Sequence, residues 1–436
     1  MKLYSTKHTS PDVNFEEAIF KGLPNDNGLY MPYQIPKLSD EFIDTIQDRT
    51  LQEIAFEVSY ALIGDEIPKD VLKQIIDESI NFKAPVKALT HNVGILELFH
   101  GPSLAFKDFG ARFMSRVMGY FLRKSSQKLN ILVATSGDTG GAVAMGFLNT
   151  PGIDVTILYP SGKVSNYQEM QLTSLGGNIK ALEVNGTFDD CQKMVKEAFL
   201  DEKLSKQLNL SSANSINISR LIPQTFYYFN AYAEVRRQGI TADVVFCVPS
   251  GNFGNIGAGL LAKRMGLPVY KFVAATNAND IFPKYLETGI FSPKPSVKTL
   301  SNAMDVGNPS NYQRISDLYG EDVDKLKDDL VAYSFNDIET ERTIVEIYET
   351  YEYMMCPHTA VGYLGIEKYL SSQEGVDLYG ILLSTAHPAK FVNELKPEIA
   401  AKVEVPKALS DLLSRKKQAT YIEPNFEELK NFLLGK

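Results

Sequence analysis

The chain is poor in the residue patterns that announce most chemistries. Its three cysteines, Cys191, Cys247 and Cys356, lie far apart with no CxxC. They fit free thiols in a reducing cytoplasm better than a disulfide framework. Its five histidines form no HxxxH or HExxH pair, so His100, His358 and His387 read as structural or supporting groups and no zinc site is predicted. Positive charge is in deficit: 44 Lys and Arg stand against 53 Asp and Glu, a formal net charge of −9. That balance argues against a nucleic-acid partner, which requires a basic face. No apolar run approaches the ~18 residues of a membrane span. The opening MKLYSTKHTS has no apolar h-region, which points away from secretion. A Gly-x-Ser-x-Gly elbow, a GxGxxG fingerprint and a P-loop are all missing, which removes support for a serine hydrolase, a dinucleotide enzyme or a P-loop NTPase. Repeats and low-complexity tracts are absent too.

What is present is an ordinary globular composition, 44% hydrophobic and 22% charged over 436 residues, long enough for two domains with sizeable cores. Residues 1 to about 85 read as a largely helical segment. SDEFIDTIQD and LQEIAFEVSYALIG carry apolar residues at helical spacing, and Ser39 and Pro68 mark starts. From His91 onward, the strand-like runs ILVAT, VTILYP, IKALEV, DVVFCVP, YKFVAAT and DLYGILLS alternate with helical patterns such as FDDCQKMVKEAFLDEKL. This alternation predicts an α/β fold over residues 86–436, with mostly parallel sheets covered by helices in two subdomains. Phe291 to Tyr333, polar and rich in Pro, Asn and Ser, reads as an insertion or mobile edge near the site. DVDKLKDDL within it reads as a solvated helix face.

Candidate chemistry concentrates in loops that follow the strand-like runs, where ligands of parallel sheets bind. Lys107 lies in FHGPSLAFKDFGARF, between Phe106 and Phe109 and beside Asp108. Aromatic surroundings strip water from an ammonium and lower its pKa, and a neutral amine is what Schiff-base formation needs. Ser250-Gly251-Asn252-Phe253-Gly254-Asn255 falls between the run DVVFCV and the helical IGAGLLAKRMG, so backbone N–H groups and a helix N-terminus can hold a phosphate there. Ala134-Thr135-Ser136-Gly137-Asp138-Thr139-Gly140-Gly141 has the same placement and adds three hydroxyls, a set that suits a carboxylate; Ser136, Asp138 or Thr139 could equally be an N-cap. Asn214-Ser215-Ile216-Asn217-Ile218-Ser219-Arg220 gathers amides, hydroxyls and a guanidinium whose planar fork suits a phosphate dianion. Lys163 in PSGKVS and Arg314 in NYQRIS are further candidates for that duty. Ser384-Thr385-Ala386-His387 ends the run YGILLS and precedes a helix expected from Pro388.

A Schiff-base lysine, a phosphate cradle and a carboxylate cradle describe pyridoxal phosphate holding an amino acid. The segments HGPSLAFKDFG, ATSGDTGGA, NSINISR, SGNFGN, AMDVGNPSN and STAHPAKF, with the opening STKHTSPDVNFEEAIFKGLPNDNGLYMP, resemble the motifs of the threonine synthase family, enzymes with the tryptophan-synthase-β-like fold (fold type II). The resemblance implies pyridoxal 5'-phosphate linked to Lys107 and contacted by Gly251, Asn252, Phe253, Gly254, Asn255, Asp138 and Thr385, the last at the pyridine nitrogen. It implies a small-molecule substrate, O-phospho-L-homoserine, held by Ser103, Ser136, Thr139, Asn214, Ser215, Asn217, Arg220 and Lys163, in a cytoplasmic monomer or homodimer. Two other readings stay open. A serine or threonine dehydratase of the same fold needs no second phosphate site, and a non-catalytic amino-acid-binding module needs no reactive lysine.

Overall fold

In the computed structural model, which describes residues 1–123, 128–135 and 137–436, the apolar runs resolve into two parallel sheets. The larger has six strands in the order Leu330–Ser334, Lys271–Thr276, Asp243–Pro249, Leu378–Ser384, Val93–Glu97 and Val86–Ala88; only the last pair is antiparallel. The smaller has five, all parallel: Thr420–Ile422, Ile179–Val184, Ile153–Pro160, Leu129–Ala134 and Leu210–Ser211. Every run expected to be a strand is one. Leu378–Ser384 is buried along its whole length, because helices cover both faces, and a strand wet on neither face has no reason to alternate. The short strands Val86–Ala88, Leu210–Ser211 and Thr420–Ile422 gave no such signal.

The N-terminal segment holds the helices Phe15–Lys21, Asp40–Asp44, Leu51–Ile63 and Lys69–Ser79 beside an antiparallel pair, Leu3–Ser5 with Tyr30–Pro32. Capping boxes at Asn14/Glu17 and Thr50/Glu53 satisfy the first-turn N–H groups. Ser39 caps as expected, its side chain accepting from Phe42 N, and Pro68 precedes Lys69–Ser79. The buried side chains of this segment, Ile54, Val58 and Ile76 among them, belong to the same apolar core as Phe109, Phe226 and Ile381. Among the described residues, no helix is long and apolar enough to cross a membrane.

Three local expectations are corrected. The helix over FDDCQKMVKEAFLDEKL is two, Phe188–Leu200 and Glu202–Leu208, because Asp201 leaves helical geometry (ψ 92°) and its carboxylate caps the second. Pro388 opens a 3-10 stretch, Pro388–Glu394, and the N-cap is His387, whose ring accepts from Ala389 N. Phe291–Tyr333 is built into the fold: it carries the helices Tyr312–Leu318 and Val323–Asp329 and ends in the edge strand Leu330–Ser334. In Val323–Asp329 only Leu326 is buried, as a solvated face requires.

Candidate active site

Four loops at the carboxyl ends of parallel strands converge. In the large sheet, Asp243–Pro249, Leu378–Ser384 and Val93–Glu97 are neighbours, so the glycine loop, the Thr385 loop and the loop leading to Lys107 lie side by side. The last two are joined by backbone: Phe106 N donates to Thr385 O (2.9 Å), His387 N donates to Leu104 O (3.0 Å), and Ala105 bridges Ala386. Thr385 is buried against the base of the lysine loop. From the small sheet, Leu129–Ala134 delivers Thr135 and Asp138 to the same group.

Lys107 is the first residue of the helix Lys107–Leu122 and is half-buried, its Nζ 5.7 Å from the Phe106 ring centre. Burial pushes its ammonium down to about 8; Lys390 and Arg220 deepen the depression and Asp138 opposes it. Asp108 points back into the loop and accepts from Ser103 N at 2.9 Å. Burial raises its carboxyl to about 6, and Oδ1 has no partner. Ser103 is buried, and its hydroxyl is also unpartnered.

Asp138 opens the helix Asp138–Phe147, but neither it nor Thr139 caps it. Gly137, at φ 139°, is the N-cap residue and makes no side-chain cap bond. A Cβ at Gly137 would lie 2.5 Å from the Gln168 amide, so only glycine fits. Thr135 Oγ1 takes the capping protons, from Gly137 N (3.0 Å) and Gly140 N (2.8 Å). Asp138 is left to meet Lys390, Nζ to Oδ1 at 2.6 Å, and Gln168 Nε2 at 3.1 Å. Burial pushes the Asp138 carboxyl up, but Lys390 and Lys107 outweigh it and hold it well below the usual carboxylate range. Lys390 also donates to Ser103 O at 2.9 Å. Sequence reasoning missed Lys390, although it stands within the quoted STAHPAKF. The signal was a lysine with apolar neighbours just after the Thr385 loop. Thr139 is half-buried on the first turn, and Ser136 lies outside the described residues.

In the glycine loop, Phe253 adopts the left-handed conformation (φ 60°) and the helix Gly254–Arg264 starts with no side-chain cap. A Cβ at Gly251 would lie 2.7 Å from Met304 Cα, so glycine is required for the loop to pack on the 302–304 turn. Asn255 is buried; its Oδ1 accepts from Tyr227 and Tyr228 hydroxyls (2.7 Å each), and its Nδ2 is an unpartnered donor. Asn252 reaches sideways, donating to Ser215 Oγ at 2.7 Å, and this contact joins the glycine loop to the Asn214–Asn217 turn. Asn217 is spent on structure: it caps the helix Ile218–Arg237 and donates to Ile19 O and Ser212 O, so no donor is left for a ligand. Asn214 is half-buried. Arg220 is buried, and among the described residues its guanidinium donates only to Ala213 O, with Nε unpartnered. Burial lowers it to about 10, against the opposing charge of Asp108. Arg314 is engaged on every nitrogen by Tyr30 O, Ser215 O, Ile216 O and Asn311 Oδ1. Lys163 is exposed, with Asp190 and Cys191 in its electrostatic range.

These residues fit pyridoxal phosphate: an uncapped helix start and a buried, unpartnered Asn255 amide await an anion, and a depressed lysine stands nearby. Two parallel sheets with that lysine and glycine loop at their strand ends define a pyridoxal-phosphate-dependent enzyme of fold type II. The chain matches the family described as "Pyridoxal-phosphate dependent enzyme" over residues 83–381, "Threonine synthase N terminus" over 2–80 and "Threonine synthase, C-terminal" over 359–433. It is 42% identical to the threonine synthase of Buchnera aphidicola (subsp. Acyrthosiphon pisum) over 440 residues, covering all of both chains. The crystal structure of threonine synthase from Escherichia coli superposes with a TM-score of 0.90 at 41% identity over 100% of each chain. That of the pyridoxal-phosphate-bound threonine synthase from Brucella melitensis does so with 0.93 at 34%, covering 99% and 98%. The chain belongs to the threonine synthase family.

Proposed function

We propose that this chain converts O-phospho-L-homoserine and water to L-threonine and phosphate, in the cytoplasm, as a monomer or homodimer acting on a small molecule alone. The observation that carries the reading is a pair of separate anion positions beside one reactive lysine. The first is the uncapped start of Gly254–Arg264 with the unpartnered Asn255 Nδ2; the second is Arg220, whose guanidinium donates only to Ala213 O among the described residues while its Nε packs over Gly110. A dehydratase needs only the first.

When bound, pyridoxal phosphate supplies an electron sink for carbanions at the substrate carbons. Gly251, Asn252, Phe253, Gly254 and Asn255 would hold the cofactor phosphate, and Lys107 would link the cofactor. Thr385 would meet the ring nitrogen, where a hydroxyl, unlike a carboxylate, would not hold that nitrogen protonated. Asp138 would also contact the cofactor. Ser103, Thr139 and Ser136 hold the substrate carboxylate, fixing the α-carbon so that its C–H bond is poised for removal. Lys107, as a neutral amine, would take the proton from Cα and then one from Cβ. Arg220, with Asn214 and Ser215, would receive the phosphate leaving Cγ; a proton is then delivered to Cγ, hydroxide from water adds at Cβ, and a proton returns to Cα. The structure gives Asn217 a capping role instead, and Lys163 has no observation behind it.

The test is Lys107→Ala. Turnover is expected to fall by several orders of magnitude while far-UV circular dichroism is unchanged; activity like that of the wild type would sink the reading. Release of phosphate from O-phosphohomoserine, set against ammonia from serine or threonine, separates it from the dehydratase.

A further inference from the structure

Lys390 has no part in the reaction as described, yet its ammonium is fully buried, with a side-chain exposure of 0%. Taking an ammonium out of water costs several kcal/mol even when it is paired, so a residue serving only to brace Ser103 O is an expensive choice. Its position is more informative. Lys390 sits on the 3-10 stretch after the last large-sheet strand, and Asp138 sits on the helix after a small-sheet strand. Their contact therefore joins loops of the two sheets, and Lys107 lies in the electrostatic range of both. Lys107 is faced by Asp138 and Lys390 from these two elements and by Arg220 from Ile218–Arg237. His358, from Pro357–Ser371, also lies in range; burial pushes it down to about 4, so it is neutral at physiological pH. Asp108, on the lysine's own helix, is turned back to Ser103 N.

We propose that Lys390 is a positioning residue: it occupies the Asp138 carboxylate so that Lys107 cannot pair with it and keeps its amine free to react. This rests on Lys107 being the residue that links the cofactor. Without Lys390, the buried Asp138 carboxylate would have Lys107 as its nearest cation, and that pairing would favour the ammonium form. With Lys390 present, Asp138 is engaged at 2.6 Å and a second positive charge confronts Lys107. Both effects push the same way.

The two members of the pair must then act on Lys107 in opposite directions. The measurement is competitive acetylation of full-length apoenzyme from neutral to alkaline pH, read at Lys107 by peptide mass spectrometry. In the wild type, roughly one-tenth of an amine titrating at about 8 is free at pH 7. Lys390→Met is expected to move the Lys107 profile to higher pH and cut labelling near neutrality by about tenfold. Asp138→Asn is expected to move it to lower pH and increase labelling several-fold. Lys390→Arg keeps the cation and restores the wild-type profile. In the holoenzyme, the pH at which the cofactor's visible band changes shifts in the same two directions. Profiles that coincide with the wild type while the melting temperature falls would make Lys390 a brace and overturn the proposal. If Lys390→Met does not fold, Asp138→Asn decides alone, and an unmoved or upward profile overturns it. Borohydride fixation of the cofactor on a different lysine would overturn the reading of Lys107 itself. Unshifted profiles with the cofactor fixed on Lys107 overturn only the role given to Lys390.

Discussion

Arg220 and Arg314 grip the same turn from two sides. Each is 2% exposed; Arg220 holds the carbonyl of Ala213, and Arg314 holds those of Ser215 and Ile216. The difference lies in what remains. Arg314 has every nitrogen satisfied, and burial alone accounts for its depressed pKa, about 9. Arg220 has donors unspent and lies in the electrostatic range of Lys107 and Asp108. A guanidinium without spare donors is a staple. One that keeps donors in reserve, in a dry site, can serve as a binding group, the role proposed for Arg220. Residue type and burial do not separate the two; the list of hydrogen bonds does.

The comparison breaks most visibly at the staple. Arg314→Met strands three buried carbonyls and the Asn311 amide, and should cost about 3–5 kcal/mol of stability, measured by denaturant midpoint. Molecules that remain folded should keep their inhibition by free phosphate. Lost phosphate affinity at unchanged stability would mean that the two arginines had been assigned the wrong way round. Arg220→Ala is the converse. Turnover of O-phosphohomoserine should fall at least tenfold, matching the ~1.5–3 kcal/mol of a charge-assisted contact, and phosphate inhibition should weaken in parallel. Cofactor binding should be unaffected, and a variant that only melts earlier would refute the assignment. The smallest effect on turnover belongs to Asn217→Ala, which removes a helix cap and the bonds to Ile19 O and Ser212 O, and should cost about 2–3 kcal/mol of stability with KM unchanged. A raised KM at constant melting temperature would return Asn217 to the substrate.

The sequence was legible where one local pattern decides the outcome. Buried parallel strands such as Asp243–Pro249 are apolar throughout, and a glycine loop between a strand and a helix advertises itself by its neighbours. It was opaque where a residue's role depends on a partner far along the chain. Nothing local shows that Asn217, unlike Asn214, has its amide protons spent on structure, because one of their acceptors is the distant Ile19 O. Thr135, rather than Asp138 or Thr139, serves the helix start because Gly137 bends the chain back over it. The apolar neighbours of Lys390 could have flagged it as buried, but its role could not be read, since its partner Asp138 comes from the other sheet. Leu330–Ser334, though it reads LVAYS, was hidden because it directly follows the charged run DVDKLKDD.

The zipper between Leu104–Phe106 and Thr385–His387 also has a consequence in time. Lys390 follows its acceptor Ser103 by 287 residues, so the lysine loop leaves the ribosome long before the segment that fixes it exists. At ~5–20 residues per second the interval is roughly 15–60 seconds, during which the loop has neither its bridge to Ala386 nor the ammonium under Ser103. A nascent chain cut short before Thr385 therefore carries Lys107 but not the frame that aims it. The packing of the lysine loop against these residues is thus completed late in biosynthesis.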